Sequence, residues 1–144
     1  MESESLLQIR RTFDAPAQKV FEAWTQKEQF SQWFPQTEEY KIIVHDMDVR
    51  PGGKYRVETQ SPDGRLHIVS GMYREVVVPQ KLVFSWAWET DPQHGETEVT
   101  IEFVSKGNQT ELTLTQRFFP SRESRDDHAK GWSVCLDHLE QLVS

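Results

Sequence analysis

The chain has 144 residues and a mass of 16.9 kDa, the size of one domain, and at that length neither a disulfide nor a metal is needed to make up for a small core. Its 16 Lys and Arg against 23 Asp and Glu leave a formal charge of -7, which argues against a nucleic-acid binder built on basic patches and against an anionic membrane surface as partner. Mean hydropathy is -0.67, yet 11% of the residues are aromatic, a ring content that a disordered chain would lack.

Residues 6–13 place Leu7, Ile9 and Phe13 on one face at period two, with Arg11 as the exception, and so predict a first strand. Asp14-Ala15-Pro16 punctuates, and Pro16 suits the start of a helix because its missing N–H is no loss there. Ala17, Val20, Phe21 and Trp24 follow at helical spacing, and a shorter helical piece from Lys27 to Trp33 brings Phe30 and Trp33 to one side. From residue 38 to 118 the period changes to two. Tyr40, Ile42 and Val44 alternate, then Tyr55 and Val57, then Leu82, Phe84, Trp86 and Trp88, then Val99, Ile101 and Phe103, then Leu112, Leu114 and Phe118. Turn signals at Pro51-Gly52-Gly53, Ser61-Pro62-Asp63-Gly64, Val78-Pro79, Asp91-Pro92 and Lys106-Gly107-Asn108 separate these runs and predict antiparallel hairpins. After Pro120, with Ser121 or Ser124 as cap, His128, Trp132, Cys135, Leu139 and Leu142 recur at helical spacing. A helix of about 20 residues is ~30 Å long and can cross a sheet.

The predicted fold class is therefore α+β, one domain over residues 1–144. A curved antiparallel sheet of about six to seven strands wraps around a long C-terminal helix, a helix-grip arrangement, and two short helices follow the first strand. With the single cysteine, Cys135, no internal disulfide is possible, and residues 1–5 have neither the basic region nor the apolar run of a signal peptide. No apolar stretch approaches the ~20 residues of a membrane span. The expected compartment is the cytoplasm.

The side chains that carry chemistry are sparse. His45, His67, His94, His128 and His138 are scattered without the spacing of a metal site, so neither metal nor cofactor is expected. Cys135 lies on the apolar stripe of the last helix and reads as packing. No Gly-x-Ser-x-Gly elbow is present, and Gly52-Gly53 opens a strand rather than the helix of a phosphate loop. Asp126-Asp127 is explained by the dipole at a helix start. No catalytic residue is assigned. Arg11 and Gln116 are polar on apolar faces and require a partner, from the protein or from a ligand.

Several local motifs, in order, resemble the Bet v 1-like or START-like superfamily, and within it the branch named for the C-terminal domain of the heat-shock-protein ATPase activator. They are Phe21-Glu-Ala-Trp24-Thr25, Trp33-Phe34-Pro35, Pro51-Gly52-Gly53-Lys-Tyr55, Gly71-x-Tyr73, Pro79-x-Lys-Leu82-Val-Phe84-x-Trp86 and His128-x-x-Gly131-Trp132-x-x-x-Leu136-Asp137-x-Leu139. The resemblance runs from about residue 7 to 142 and implies an internal hydrophobic cavity. The expected lining is Trp33, Tyr55, Val57, Phe84, Trp86, Phe103, Gln116, Phe118, His128, Trp132 and Cys135, with His128 or Gln116 orienting a ligand. The leading expectation is a binder of a small hydrophobic molecule, aromatic, polyketide-like or lipid-like. The alternatives are a cyclase or hydrolase using the same cavity, and a chaperone-cofactor-like interaction protein. The larger activators carry a further N-terminal domain, which this chain is expected to lack because its first strand begins near residue 6.

Overall fold

The computed structural model describes residues 6–35, 37 and 39–144. Strand β1 (Leu6–Phe13) is followed by helices α1 (Ala17–Thr25) and α2 (Lys27–Trp33), then by β2 (Lys41–Met47), β3 (Lys54–Gln60), β4 (Leu66–Val77), β5 (Lys81–Trp88), β6 (Thr97–Lys106) and β7 (Gln109–Arg117), and last by α3 (Arg122–Val143). One 3-10 turn, Pro92–His94, lies in the β5–β6 connection. The seven strands form one antiparallel sheet in the order β1-β7-β6-β5-β4-β3-β2. It is a meander in which the first strand closes onto the last, with Leu7 opposite Gln116 and Ile9 opposite Leu114. Irregularities in register between Val44 and Asp46 and between Tyr73 and Glu75 bend the sheet where it must curve.

The period-two rows of the sequence become the inner face. Tyr55, Val57, Leu82, Phe84, Trp86, Val99, Ile101, Phe103, Leu112 and Leu114 are all buried. Two glycines permit the geometry. Gly107 takes φ +66 in the two-residue β6–β7 hairpin, a conformation that L side chains rarely adopt. At Gly71 a β-carbon would sit 2.0 Å from the Ser85 carbonyl oxygen, so only glycine lets β4 and β5 come this close.

Ser121, not Ser124, caps α3: its hydroxyl accepts the Ser124 N–H at 3.1 Å. The helix buries Trp132, Cys135, Leu136, Leu139 and Val143. Arg11, the polar exception on β1, reaches α3, where it donates to Asp137 at 2.7 Å and to the Ser133 carbonyl at 3.2 Å. One expectation is corrected. Phe118 was placed on the inner face by its alternation with Leu112 and Leu114, but it is 60% exposed. The backbone turns to φ +75 at Phe118, which shifts the phase by one residue and buries Phe119 instead. Among the described residues no helix is long and apolar enough to cross a membrane.

Candidate functional site

Between the N-terminal half of α3 and strands β3 to β5 the two layers do not close. A cleft of about 260 Å³ remains, lined by Phe34, Pro35 and Tyr40 on one side, Thr59, His67, Trp86 and Trp88 on the sheet, and Asp127, His128, Gly131, Trp132 and Cys135 on the helix. Its walls are ring faces. Trp86 packs on Trp132 with centroids 5.1 Å apart and meets Trp88 edge-on at 5.5 Å, while Phe34 meets Trp86 and Trp132 at 6.0 and 6.2 Å. The alternation of β5 sends Phe84, Trp86 and Trp88 to one side, and α3 presents Trp132 opposite them.

His128 stands at the mouth as a strut between helix and sheet. The Trp88 Nε1–H donates to His128 Nε2 at 3.0 Å, and His128 Nδ1 lies 2.8 Å from the Ser124 carbonyl. An indole nitrogen only donates. Nε2 must therefore be the bare nitrogen, and Nδ1–H donates to Ser124. This fixes one neutral tautomer, and burial, followed by the nearby His94, holds the His128 pKa below the usual histidine value. His94 packs against His128 with centroids 5.3 Å apart, and Phe119 closes the cluster at 5.0 Å. His94 Nε2 lies 2.5 Å from Ser124 Oγ and its Nδ1 lies 3.2 Å from the Gly95 carbonyl oxygen. These two residues line an open groove that shares His67, Trp88, Asp127 and His128 with the cleft.

Of the residues expected at the cavity, the structure brings Trp86, His128, Trp132 and Cys135 together on the cleft wall. Tyr55 and Phe84 lie deeper, beside a smaller cavity behind Trp86 and Trp132. Trp33 is fully buried, donates its indole N–H to the Ala23 carbonyl at 2.8 Å and packs on Trp24. Val57 is buried on β3, and Phe103 packs edge-on against Phe21 on α1. Phe118 faces solvent. Gln116 is wholly buried with both ends engaged: Trp132 Nε1 donates to its oxygen at 2.8 Å, and its own amide donates to Thr97 Oγ1 at 2.8 Å. Its partner is thus the protein, not a guest.

The Cys135 thiol donates to the Phe34 carbonyl at 3.0 Å, and burial pushes its pKa up to about 12, so it is no nucleophile at neutral pH. Among the described residues no group of three or more His, Cys, Asp or Glu is placed to hold a metal. Several wall residues outside the expected lining had a signal in the sequence. Trp88 ends the row through Phe84 and Trp86, and Thr59 extends the row of Tyr55 and Val57 by one step. Tyr40 opens the row of Ile42 and Val44, whereas Phe34 and Pro35 belong to a segment with no period that points them at the cleft.

Comparison with known proteins places this geometry. The family model described as "Activator of Hsp90 ATPase homolog 1-like protein" matches residues 14–144. A crystal structure of a protein from Chromobacterium violaceum is 23% identical, covers 96% of each chain and superposes with a TM-score of 0.89. A solution structure from Staphylococcus epidermidis is 26% identical, over 96% of this chain and 89% of that one, with a TM-score of 0.82. A crystal structure from Mycobacterium smegmatis is 18% identical, over 100% of this chain and 93% of that one, with a TM-score of 0.87. No curated protein matches the chain.

Proposed function

The chain belongs to the activator of Hsp90 ATPase homolog 1-like family, and on that premise we propose that it binds a small, flat, largely apolar molecule in the cleft between α3 and the sheet. The observation that carries this reading is the wall itself, in which Phe34, Trp86, Trp88 and Trp132 surround about 260 Å³ of space. Ligand pockets combine such apolar walls with a few convergent polar groups, here Thr59, Tyr40, His67 and Asp127. The volume falls just below the ~300–1,000 Å³ typical of drug-sized ligands, which favours one or two fused rings over a sterol or a long acyl chain. His128 acts as a support, since both its ring nitrogens are engaged.

The test is titration with mono- and bicyclic aromatic compounds followed by amide chemical shifts. Binding should move Thr59, Trp86, Trp88, Gly131 and Cys135. Thr59→Trp should fill the cleft and weaken binding at least tenfold. Absence of binding below about millimolar, or shifts confined to the far side of the sheet, would remove the reading.

One observation favours a second reading, acyl transfer in the adjoining groove. Ser124 Oγ is paired with His94 Nε2, as a hydroxyl nucleophile is with its base, and the Gly95 carbonyl oxygen lies 3.2 Å from the other ring nitrogen. Ser124 Oγ would attack an ester carbonyl while its proton passes to His94, and the ester C–O bond would break to release the alcohol and leave the acyl group on Ser124. Release of p-nitrophenolate from p-nitrophenyl acetate, at the same rate in the wild type and in Ser124→Ala, would dispose of it.

A further inference from the structure

Five tryptophans serve this fold, and three of their indole N–H groups find a partner within the chain: Trp33 on the Ala23 carbonyl, Trp88 on His128 and Trp132 on Gln116. The other two, Trp24 Nε1 and Trp86 Nε1, are buried with no hydrogen-bond partner among the described residues. Their side chains belong to residues only 3% and 4% exposed. A buried donor left unmet is costly, and folded proteins almost always supply it with an acceptor.

Trp24 lies on α1 and Trp86 on β5, yet both line the same void. This inner cavity measures about 20 Å³, enough for one water-sized atom, and it has Tyr55, Tyr73, Phe84 and Trp132 among its other walls. It sits behind the cleft, since Trp86 and Trp132 line both spaces. Three other polar groups lie on its wall, and one of them, the Tyr73 hydroxyl, can donate or accept. Trp132 Nε1 already donates to Gln116, and the Tyr55 hydroxyl donates to the Ser85 carbonyl at 2.5 Å, which leaves the Tyr55 oxygen a lone pair to accept with. Two unmet indole donors, the residual Tyr55 acceptor and the Tyr73 hydroxyl, which takes either role, match an oxygen atom, and the donors repel a cation.

We propose that Trp24 and Trp86 form a two-donor site for a single hydrogen-bond-accepting oxygen behind the cleft. That oxygen belongs either to a resident water or to the carbonyl or carboxylate of a molecule in the cleft, and the second source rests on the ligand reading above. With a water, the two indoles and the Tyr55 oxygen together provide the three hydrogen bonds usual for a buried one. With a ligand, the site selects a flat molecule that carries an acceptor at its leading edge.

The experiment observes the indole N–H signals of the full-length protein by water-edited nuclear Overhauser spectroscopy, alone and with naphthalene or 2-naphthoate added. Trp24→Phe and Trp86→Phe assign the two signals. Each substitution should also shift the remaining indole proton, because the two share one acceptor. The expected result in the free protein is a downfield Nε1 proton for both residues and a cross-peak to a long-lived water. If that cross-peak persists with both additives, the oxygen is a resident water. If 2-naphthoate removes it and naphthalene does not, the carboxylate has taken its place. Absence of any water contact, together with no downfield shift of either indole proton with or without 2-naphthoate, would overturn the site. If neither additive moves the Thr59 and Cys135 amides, the cleft reading fails for these compounds, while the water contacts at the two indoles still decide this proposal.

Discussion

Helix α3 meets the sheet in two different ways along its length. Its C-terminal half lies against β1 and α2, where Leu136, Leu139 and Val143 are almost wholly buried and Arg11 ties Asp137 to the strand. Its N-terminal half stands off β3 to β5, where Trp132 and His128 face Trp86 and Trp88 across the cleft. Branched aliphatic side chains interdigitate and expel space. Flat rings that meet at 5 to 6 Å and large angles leave gaps between their faces. The difference teaches that an open space in this fold does not come from missing side chains. It comes from large ones braced by hydrogen bonds at Gln116 and His128.

Experiments that break the sealed half should have the largest effect. Leu139→Ala, at a site with no exposure, should cost about 2–5 kcal/mol in chemical denaturation. Cys135→Ala, on the cleft side of the same helix, removes far less and should cost much less in the same assay. Equal losses would dissolve the contrast. Next comes the brace. Gln116→Leu keeps the volume but leaves the Trp132 N–H unmet, and should cost about 1–3 kcal/mol.

The strut at His128 sharpens the comparison through pH. Its folded pKa is lowered from 6.5, first by burial and then by His94, so the unfolded chain takes up a proton before the folded one does. The stability it contributes is full above about pH 6.5 and is lost as the pH falls through the lowered folded value. Protonation also puts a hydrogen on Nε2 and breaks the bond from Trp88. Denaturation midpoints between pH 7 and 4.5 should fall more steeply in the wild type than in His128→Leu. The same slope in both would assign the pH dependence elsewhere. The smallest effect belongs to Arg11→Ala, whose partly exposed ion pair with Asp137 should cost about 1 kcal/mol or less. If it cost more than Gln116→Leu, the seal at the β1 end would be electrostatic rather than aliphatic.

Much of the fold was legible because one face of every element is apolar and the period identifies the element. The helix Lys27–Trp33 and the hairpin at Gly107-Asn108 follow directly from that pattern. Phe118 failed because alternation assumes an unbroken strand, and a single residue in the left-handed region resets the phase. The candidate site was legible only by halves. Trp86, His128, Trp132 and Cys135 reach the cleft because each lies on a periodic stripe. Phe34 and Pro35 come from an aperiodic connection, where no local rule states which way a side chain turns.

The amino-acid sequence by itself determined the inventory: one ring-rich domain, the element order, the inner and outer faces, and the need of Arg11 and Gln116 for partners. Those are short-range consequences of side-chain period, turn chemistry and the cost of burying polar groups. The tertiary structure alone decided who those partners are, and that Trp24 and Trp86 line one void with their indole N–H groups unmet among the described residues. It alone decided that α3 seals one end of the sheet and leaves the other open. Hydrogen-bond geometry and packing gaps depend on the distance between residues far apart in the chain, and that distance is set only when helix and sheet dock.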